Sequence, residues 1–166
     1  MTEKSRPHVL VIGGGPAGLA AAEALADGCC EVTIVDRMPS FGRKLLMAGR
    51  SGLNLTNAEQ ETAFLKRYGV AENWLTPALS AFSPSMMTSW TEELGQPCFT
   101  GSSGRVFPQA MKASPLLRAW LKRLMDRGVH FRPGVQWQGW NNNGEIVLVD
   151  RGGSEDILTP AATVLA

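Results

Sequence analysis

Cysteine is scarce in this chain, charge of either sign is not in excess, and no long apolar run is present. Cys29, Cys30 and Cys98 are the 3 cysteines among 166 residues. Adjacent Cys29 and Cys30 cannot form an ordinary unstrained disulfide, and CxxC-like or metal-ligand spacings are absent. A disulfide framework is excluded, no metal site is expected, and a reduced, cytoplasmic protein is the expectation. The 16 Lys and Arg stand against 15 Asp and Glu, for a formal net charge of +1. That balance provides no general drive toward nucleic acid or an anionic membrane, so neither is an expected partner. The longest apolar run lies near residues 9–13, far short of the roughly 20 residues of a membrane span. The opening MTEKSRPH lacks the apolar segment and cleavage site of a secretory signal. The 2 histidines, His8 and His130, are far apart in sequence, which offers little support for a two-histidine catalytic or metal site.

The composition that remains is 44% apolar and 19% charged, with 18 Gly and 10 Pro. Such a chain is long enough for one domain with a core and too short for two large ones. Its most informative stretch is HVLVIGGGPAGLAAAEALADGCCEVTIVDR, residues 8–37. Val9 to Ile12 is a continuous apolar run, as in a parallel strand buried on both faces. Gly13, Gly15 and Gly18 follow with G-x-G-x-x-G spacing, with Gly14 and Ala17 completing a turn of small residues. The first glycine permits the tight turn, the second lets a pyrophosphate approach the backbone, and the third lets helix pack on strand. The spacing predicts a helix from Pro16 to Asp27, with Pro16 at a first-turn position where its missing N–H has no helical partner. Free N–H groups and the positive helix end then face the phosphates. Gly28 ends the helix, Val32 to Val35 reads as the second strand, and Asp36 closes it where a carboxylate can accept from an adenosine ribose. A 2′-phosphate cofactor is disfavoured because it would meet Asp36, although Arg37 beside it weakens that exclusion.

The segments GGGPAGLAAAEALADG and VTIVDRMPSFGRK resemble the opening of the two-dinucleotide-binding flavoproteins, which implies FAD rather than NAD. In those proteins the acid is commonly Glu and a glycine pair follows; here Asp36 and Phe41-Gly42-Arg43 stand instead. Residues 42–57, GRKLLMAGRSGLNLTN, read by composition as a loop. Such a loop either wraps phosphate and ribitol, with Arg43 and Lys44 offsetting negative charge, or is an ordinary solvated connection. Its wording, together with GSSGRVFPQAMKASPLLRAWLKRL at residues 101–124, resembles a bacterial NAD(P)/FAD-dependent flavoprotein oxidoreductase family. That family is named after aminoacetone oxidase and a bile-acid-operon flavoprotein. Where many relatives have Arg-Cys, Gly52-Leu53 stands here, which excludes a mechanism relying on a cysteine in this loop. Asn54 and Asn57 are retained; they either contact the flavin side of FAD or stabilise the loop as Asx turns.

Residues 60–95 alternate short helical patterns with breaks at Gly69, Pro77 and Pro84. Phe64, Leu65, Tyr68, Trp74, Leu75, Leu79 and Phe82 are expected in the core. Cys98 and Phe99 precede a glycine-serine turn, and Arg105 to Phe107 read as a short strand closed by Pro108. A helix over Ser114–Arg127 is expected, capped by Ser114 with Pro115 at its first position. Leu117, Trp120, Leu121 and Leu124 form its apolar face, and Arg118, Lys122, Arg123 and Arg127 form either an anion-binding face or a solvated one. Residues 129–132, 135–140 and 145–149 read as strands, the last two joined across Asn143-Gly144. Asp150 to Asp156 reads as a turn, and Thr163 to Ala166 as a further strand. In related flavoproteins the strand entering such a hairpin passes the adenine, which makes Trp137 a candidate cofactor contact.

The expected fold class is α/β: a Rossmann-like FAD/NAD(P)-binding domain, with a parallel sheet, helices and a small β-hairpin or meander, incomplete at the C-terminus. The resemblance implies that residues 1–166 are the N-terminal portion of an FAD-binding domain, without the substrate domain and the returning FAD-domain segment. It implies an FAD-dependent oxidoreductase, with NAD(P)H as a candidate reductant for the longer protein, and a chain that holds FAD poorly by itself. No residue has the partners required of a catalytic acid, base or nucleophile. The alternative is a dinucleotide-binding or interaction module without redox activity.

Overall fold

The computed structural model describes residues 6–28 and 30–166; Cys29 and residues 1–5 lie outside the described residues. In chain order the elements are β1 (His8–Ile12), α1 (Pro16–Asp27), β2 (Glu31–Asp36), α2 (Arg43–Ala48), β3 (Thr56–Asn57), α3 (Glu61–Lys66), α4 (Glu72–Ala81) and α5 (Pro84–Glu93). They continue with β4 (Cys98–Thr100), β5 (Arg105–Pro108), α6 (Ala113–Asp126), β6 (His130–Pro133), β7 (Val135–Trp140), β8 (Ile146–Asp150), β9 (Glu155–Leu158) and β10 (Ala162–Leu165). They form two compact units, one of Met1–Leu45 with Leu121–Ala166 and one of Leu46–Trp120.

The first unit is built on a parallel sheet in the order β10-β1-β2-β6. Val9, Leu10, Val11, Val32, Ile34 and Val35 are all buried, because both faces of the central strands are covered, as parallel sheets require. On one face Leu10 and Val35 pack with Val135, Ile146 and Leu148 of the antiparallel sheet β7-β8-β9. On the other, Gly18 of α1 lies against Val11. Thr33 is buried and polar, and its hydroxyl is satisfied by His8 Nε2 at 2.9 Å. β9 falls partly within the stretch expected as a turn: the reversal is confined to residues 151–154, and Glu155 already pairs with Val149. Glu and Asp are poor strand formers, but the ladder with β8 holds them, and Arg132 Nη1 pairs with Asp156 Oδ2 at 2.7 Å.

The second unit carries the antiparallel sheet β3-β5-β4. β4 pairs Phe99 with Phe107 and Thr100 with Val106, a hairpin arm that three residues of sequence do not announce. Trp90 of α5 and Trp120 of α6 meet edge to face at 4.8 Å. α5 is capped as its sequence dictates, with Ser83 Oγ accepting from the Met86 N–H at 3.3 Å and Pro84 at the first position.

Four further expectations are corrected. Residues 42–57 are not all loop: Arg43–Ala48 is helical, since Arg, Lys, Leu, Met and Ala are all good helix formers. Pro77 lies inside α4 rather than breaking it; Pro77 and Asn73 are both exposed, so water can take the carbonyl left without a helical donor. α6 begins at Ala113, which puts Ser114 inside the helix and not at its cap. Finally, no residue of α3 or α4 is buried, and Tyr68, Trp74 and Phe82 are exposed. Helical periodicity creates an apolar face, but burial requires a second layer to cover it.

Candidate functional site

The glycine turn between β1 and α1 shows why each small residue is there. Gly13 has φ 113°, outside the range of ordinary L residues, and its N–H donates to Val35 O at 2.9 Å. A Cβ on Gly13 would overlap the Ala166 carbonyl, and one on Gly18 would overlap the carbonyl oxygen of Gly13. At Gly14 a Cβ would overlap the ring of Phe41. The Gly14 N–H donates to Asp36 Oδ2 at 2.8 Å, while its carbonyl accepts from the Gly42 N–H at 2.7 Å. Gly15 is different. Its backbone is extended (φ −80°, ψ −178°), a conformation open to any residue, and a Cβ there would meet nothing within 4 Å. Among the described residues nothing requires glycine at this position; a group brought against the backbone from outside would.

Gly15 opens onto a cavity of about 510 Å³ at the carboxyl ends of β1 and β2, the place where open α/β sheets bind ligands. Its floor is Gly13, Gly14, Gly15, Pro16 and Ala17, the start of α1. One side carries Asp36, Arg37, Arg43 and Lys44, and the other Val135, Gln136 and Trp137. Gly18, Gly42 and Asn54 are not among the lining residues. Gly18 serves the packing of α1, Gly42 closes the following turn onto Gly14, and Asn54 is exposed in the second unit. Asn57 takes the Asx-turn role, its Oδ1 accepting from the Glu59 N–H at 3.0 Å.

Three cations and one acid therefore line the cavity. The acid is itself compensated: Asp36 Oδ1 accepts from the Met38 N–H and Oδ2 from the Gly14 N–H, both at 2.8 Å. A carboxylate has about four lone-pair sites, so acceptor capacity remains for a ribose. The helix N-terminus and the three cations suit a pyrophosphate. Trp137 is fixed by its Nε1–H donating to Gly139 O at 2.9 Å and by an edge contact with Trp140. The register shift between Trp137 and Gly139 is a bulge, a device that re-aims a side chain. The sequence reading missed Met38, Ser40 and Gln136 in the lining; all three neighbour residues it singled out, but side-chain chemistry alone does not mark them.

Two of the cations offered as an anion-binding face, Arg123 of α6 and Arg127 just beyond it, take a structural role in the first unit. Arg123 Nη1 lies 3.2 Å from Glu23 Oε1, and Arg127 Nη1 lies 2.9 Å from Asp27 Oδ1, both partners on α1. Lys122 pairs with Asp126 one turn on. Cys98 is not an activated thiol: burial, then the nearby Glu92 charge, pushes its pKa up. Among the described residues no helix is long and apolar enough to cross a membrane.

Residues 7–166 match the HI0933-like protein Rossmann domain. The chain belongs to this family. It is a family of FAD-binding domains, in agreement with the resemblance carried by the sequence motifs. A 3-dehydro-bile acid delta(4,6)-reductase of Clostridium scindens is 29% identical over 129 residues, which cover 76% of this chain and 31% of the reductase. The chain thus spans about a third of that relative's length. Among solved structures, the 3-ketosteroid-delta4-(5alpha)-dehydrogenase of Rhodococcus jostii matches with a TM-score of 0.60 at 16% identity, over 99% of this chain and 46% of that one. Thermovibrio ammonificans THI4 matches with a TM-score of 0.57 at 18% identity, over 96% and 56%. At these identities the two structures show a shared fold.

Proposed function

We propose that this chain is the FAD-binding portion of a flavin-dependent oxidoreductase, acting in the cytoplasm, and that residues 1–166 form the N-terminal part of a longer FAD-binding domain. The observation that carries the reading is the open cradle at Gly15, a glycine that no contact among the described residues explains. Gly13 to Ala17 hold the pyrophosphate, Arg43 and Lys44 balance its charge, Asp36 takes the adenosine ribose with Arg37 at its side, and Trp137 faces the adenine. Asn54 and Gly42 remain candidates for the flavin side, through a side-chain amide and the backbone of the turn. Bound flavin supplies the redox chemistry, and the chain's own groups bind and orient it. The scarcity of cysteine supports a reducing compartment. The substrate is a small molecule, and NAD(P)H is the candidate reductant of the longer protein.

Titration of the purified chain with FAD, followed by its visible bands, and with ADP, followed by calorimetry, tests this reading. Weak FAD binding that is lost in Gly15→Val, with the far-ultraviolet spectrum unchanged, is the expected result. A chain that binds ADP but leaves the flavin bands unperturbed would support the second reading, a dinucleotide-binding module without redox activity. That reading draws on the cavity lining, which offers no paired acid and base.

A further inference from the structure

We propose that Phe41 is a positioning residue for the dinucleotide: its ring holds Gly14 in place, and thereby presents the backbone at Gly15, while touching no ligand itself. The inference rests on the dinucleotide reading given above.

After Asp36 the chain turns back on the glycine loop and closes on a single residue from three directions. The Asp36 carboxylate takes the Gly14 N–H, the Gly42 N–H takes the Gly14 carbonyl, and the Phe41 ring fills the space a Gly14 Cβ would need. A Cβ at Gly14 would overlap Phe41 Cδ1 and lie 2.7 Å from Cε1. Only the ring is specific to a side chain at position 41; the Gly42 bond follows from the path of the backbone. Phe41 is buried and is absent from the cavity lining, although its neighbour Ser40 belongs to it. The ring is also packed against Phe131 of β6, edge to face at 5.0 Å and 69°. Gly14 does not have a positive φ, so its backbone would accept alanine without strain. Asp36 Oδ2 would lie 3.1 Å from the same Cβ, so the requirement for glycine at 14 is set chiefly by Phe41 and secondarily by Asp36, whereas at Gly15 a Cβ would meet nothing among the described residues.

The pair is testable as a double-mutant cycle on the full chain, read by titration with FAD and with ADP, with circular dichroism confirming the fold. Gly14→Ala is expected to weaken both ligands by about tenfold or more, since overpacking must displace the ring or the turn. Adding Phe41→Val removes Cδ1 and Cε1 and is expected to recover most of that loss. Because Gly14→Ala can fail to fold, Phe41→Val on the native glycine background is the second arm. There FAD should bind about threefold or more weakly, and the Gly14 amide should exchange faster without ligand. Unchanged affinity in Gly14→Ala, no recovery in the folded double variant, or unchanged affinity and exchange in Phe41→Val would overturn the role of Phe41 and leave the dinucleotide reading standing. A native chain that binds neither FAD nor ADP would instead overturn the dinucleotide reading.

Discussion

Leu10 in β1 and Trp74 in α4 are both large apolar side chains within regular secondary structure, yet Leu10 is 0% exposed and Trp74 is 82% exposed. The two regions differ in what covers them. β1 has strands on both sides and packed layers above and below, so its Val9, Leu10 and Val11 are all buried. The α3–α4 pair is two short helices packed on each other with no buried residue in either. Both regions carry large apolar side chains, but only β1 is enclosed. The same distinction recurs on a smaller scale inside the glycine turn, where Gly14 is enclosed by Phe41 and Gly15 faces open space.

The largest effect that would sharpen this comparison is on stability. Leu10→Ala should destabilise the chain by roughly 2–5 kcal/mol, the range for emptying a packed core site; a loss under about 1 kcal/mol in urea unfolding would mean that β1 is not enclosed as described. Next comes Gly15→Val, expected to weaken FAD by about a hundredfold or more through a branched side chain placed against the pyrophosphate, while the melting temperature stays within a few degrees. A parallel fall in melting temperature would show that Gly15 answers to the chain after all. Asp36→Ala removes a charged acceptor from two backbone N–H groups and from the ribose, a class of bond worth about 1.5–3 kcal/mol, so FAD should bind at least about tenfold more weakly. Equal affinity in calorimetry would remove Asp36 from the site.

On the exposed side of the comparison, Trp74→Ser should change stability by no more than about 0.5 kcal/mol. A larger loss would mean that α4 is covered. The smallest effect concerns the β7–β8 turn. Hydrogen bonds from Asn141, and secondarily Asn143, hold the Glu145 carboxyl below its ordinary value of 4.5. A lowered carboxyl adds stability that is fully present above the unfolded value and is lost as pH falls through the folded one. Because Glu145 is at the surface, the gain is small. Asn141→Ala should move the Glu145 titration upward in a carbon-detected NMR experiment; an unmoved titration would assign the lowering elsewhere.

Where backbone geometry is dictated locally, the structure could be read in advance. β1, the Gly13–Gly18 turn, α1 and β2 follow from a doubly buried strand pattern, glycine spacing and a proline suited to a first turn. The β7–β8 hairpin follows from alternation and its Asn-Gly step. Ten of the candidate cofactor residues line one cavity: Gly13, Gly14, Gly15, Pro16, Ala17, Asp36, Arg37, Arg43, Lys44 and Trp137. β9 and β4 were not legible, because short polar or mixed segments become strands only when a neighbouring strand supplies their hydrogen bonds. Pro77 inside α4 was not legible either, since the outcome depends on whether water reaches the orphaned carbonyl.

By itself, then, the sequence determined the glycine turn and the family, since both depend on residue types at fixed local spacing: small residues where the backbone must turn, and an acid at the end of the next strand. Tertiary structure decided which of those glycines are closed in by neighbours and which, Gly15, faces open space. It also set Arg123 and Arg127 against Glu23 and Asp27 instead of against an external anion, and it left Trp74 in water. Each of these depends on what a distant segment places beside a residue, and spacing along one chain carries no information about that neighbour until the sheet and its covering layers have formed.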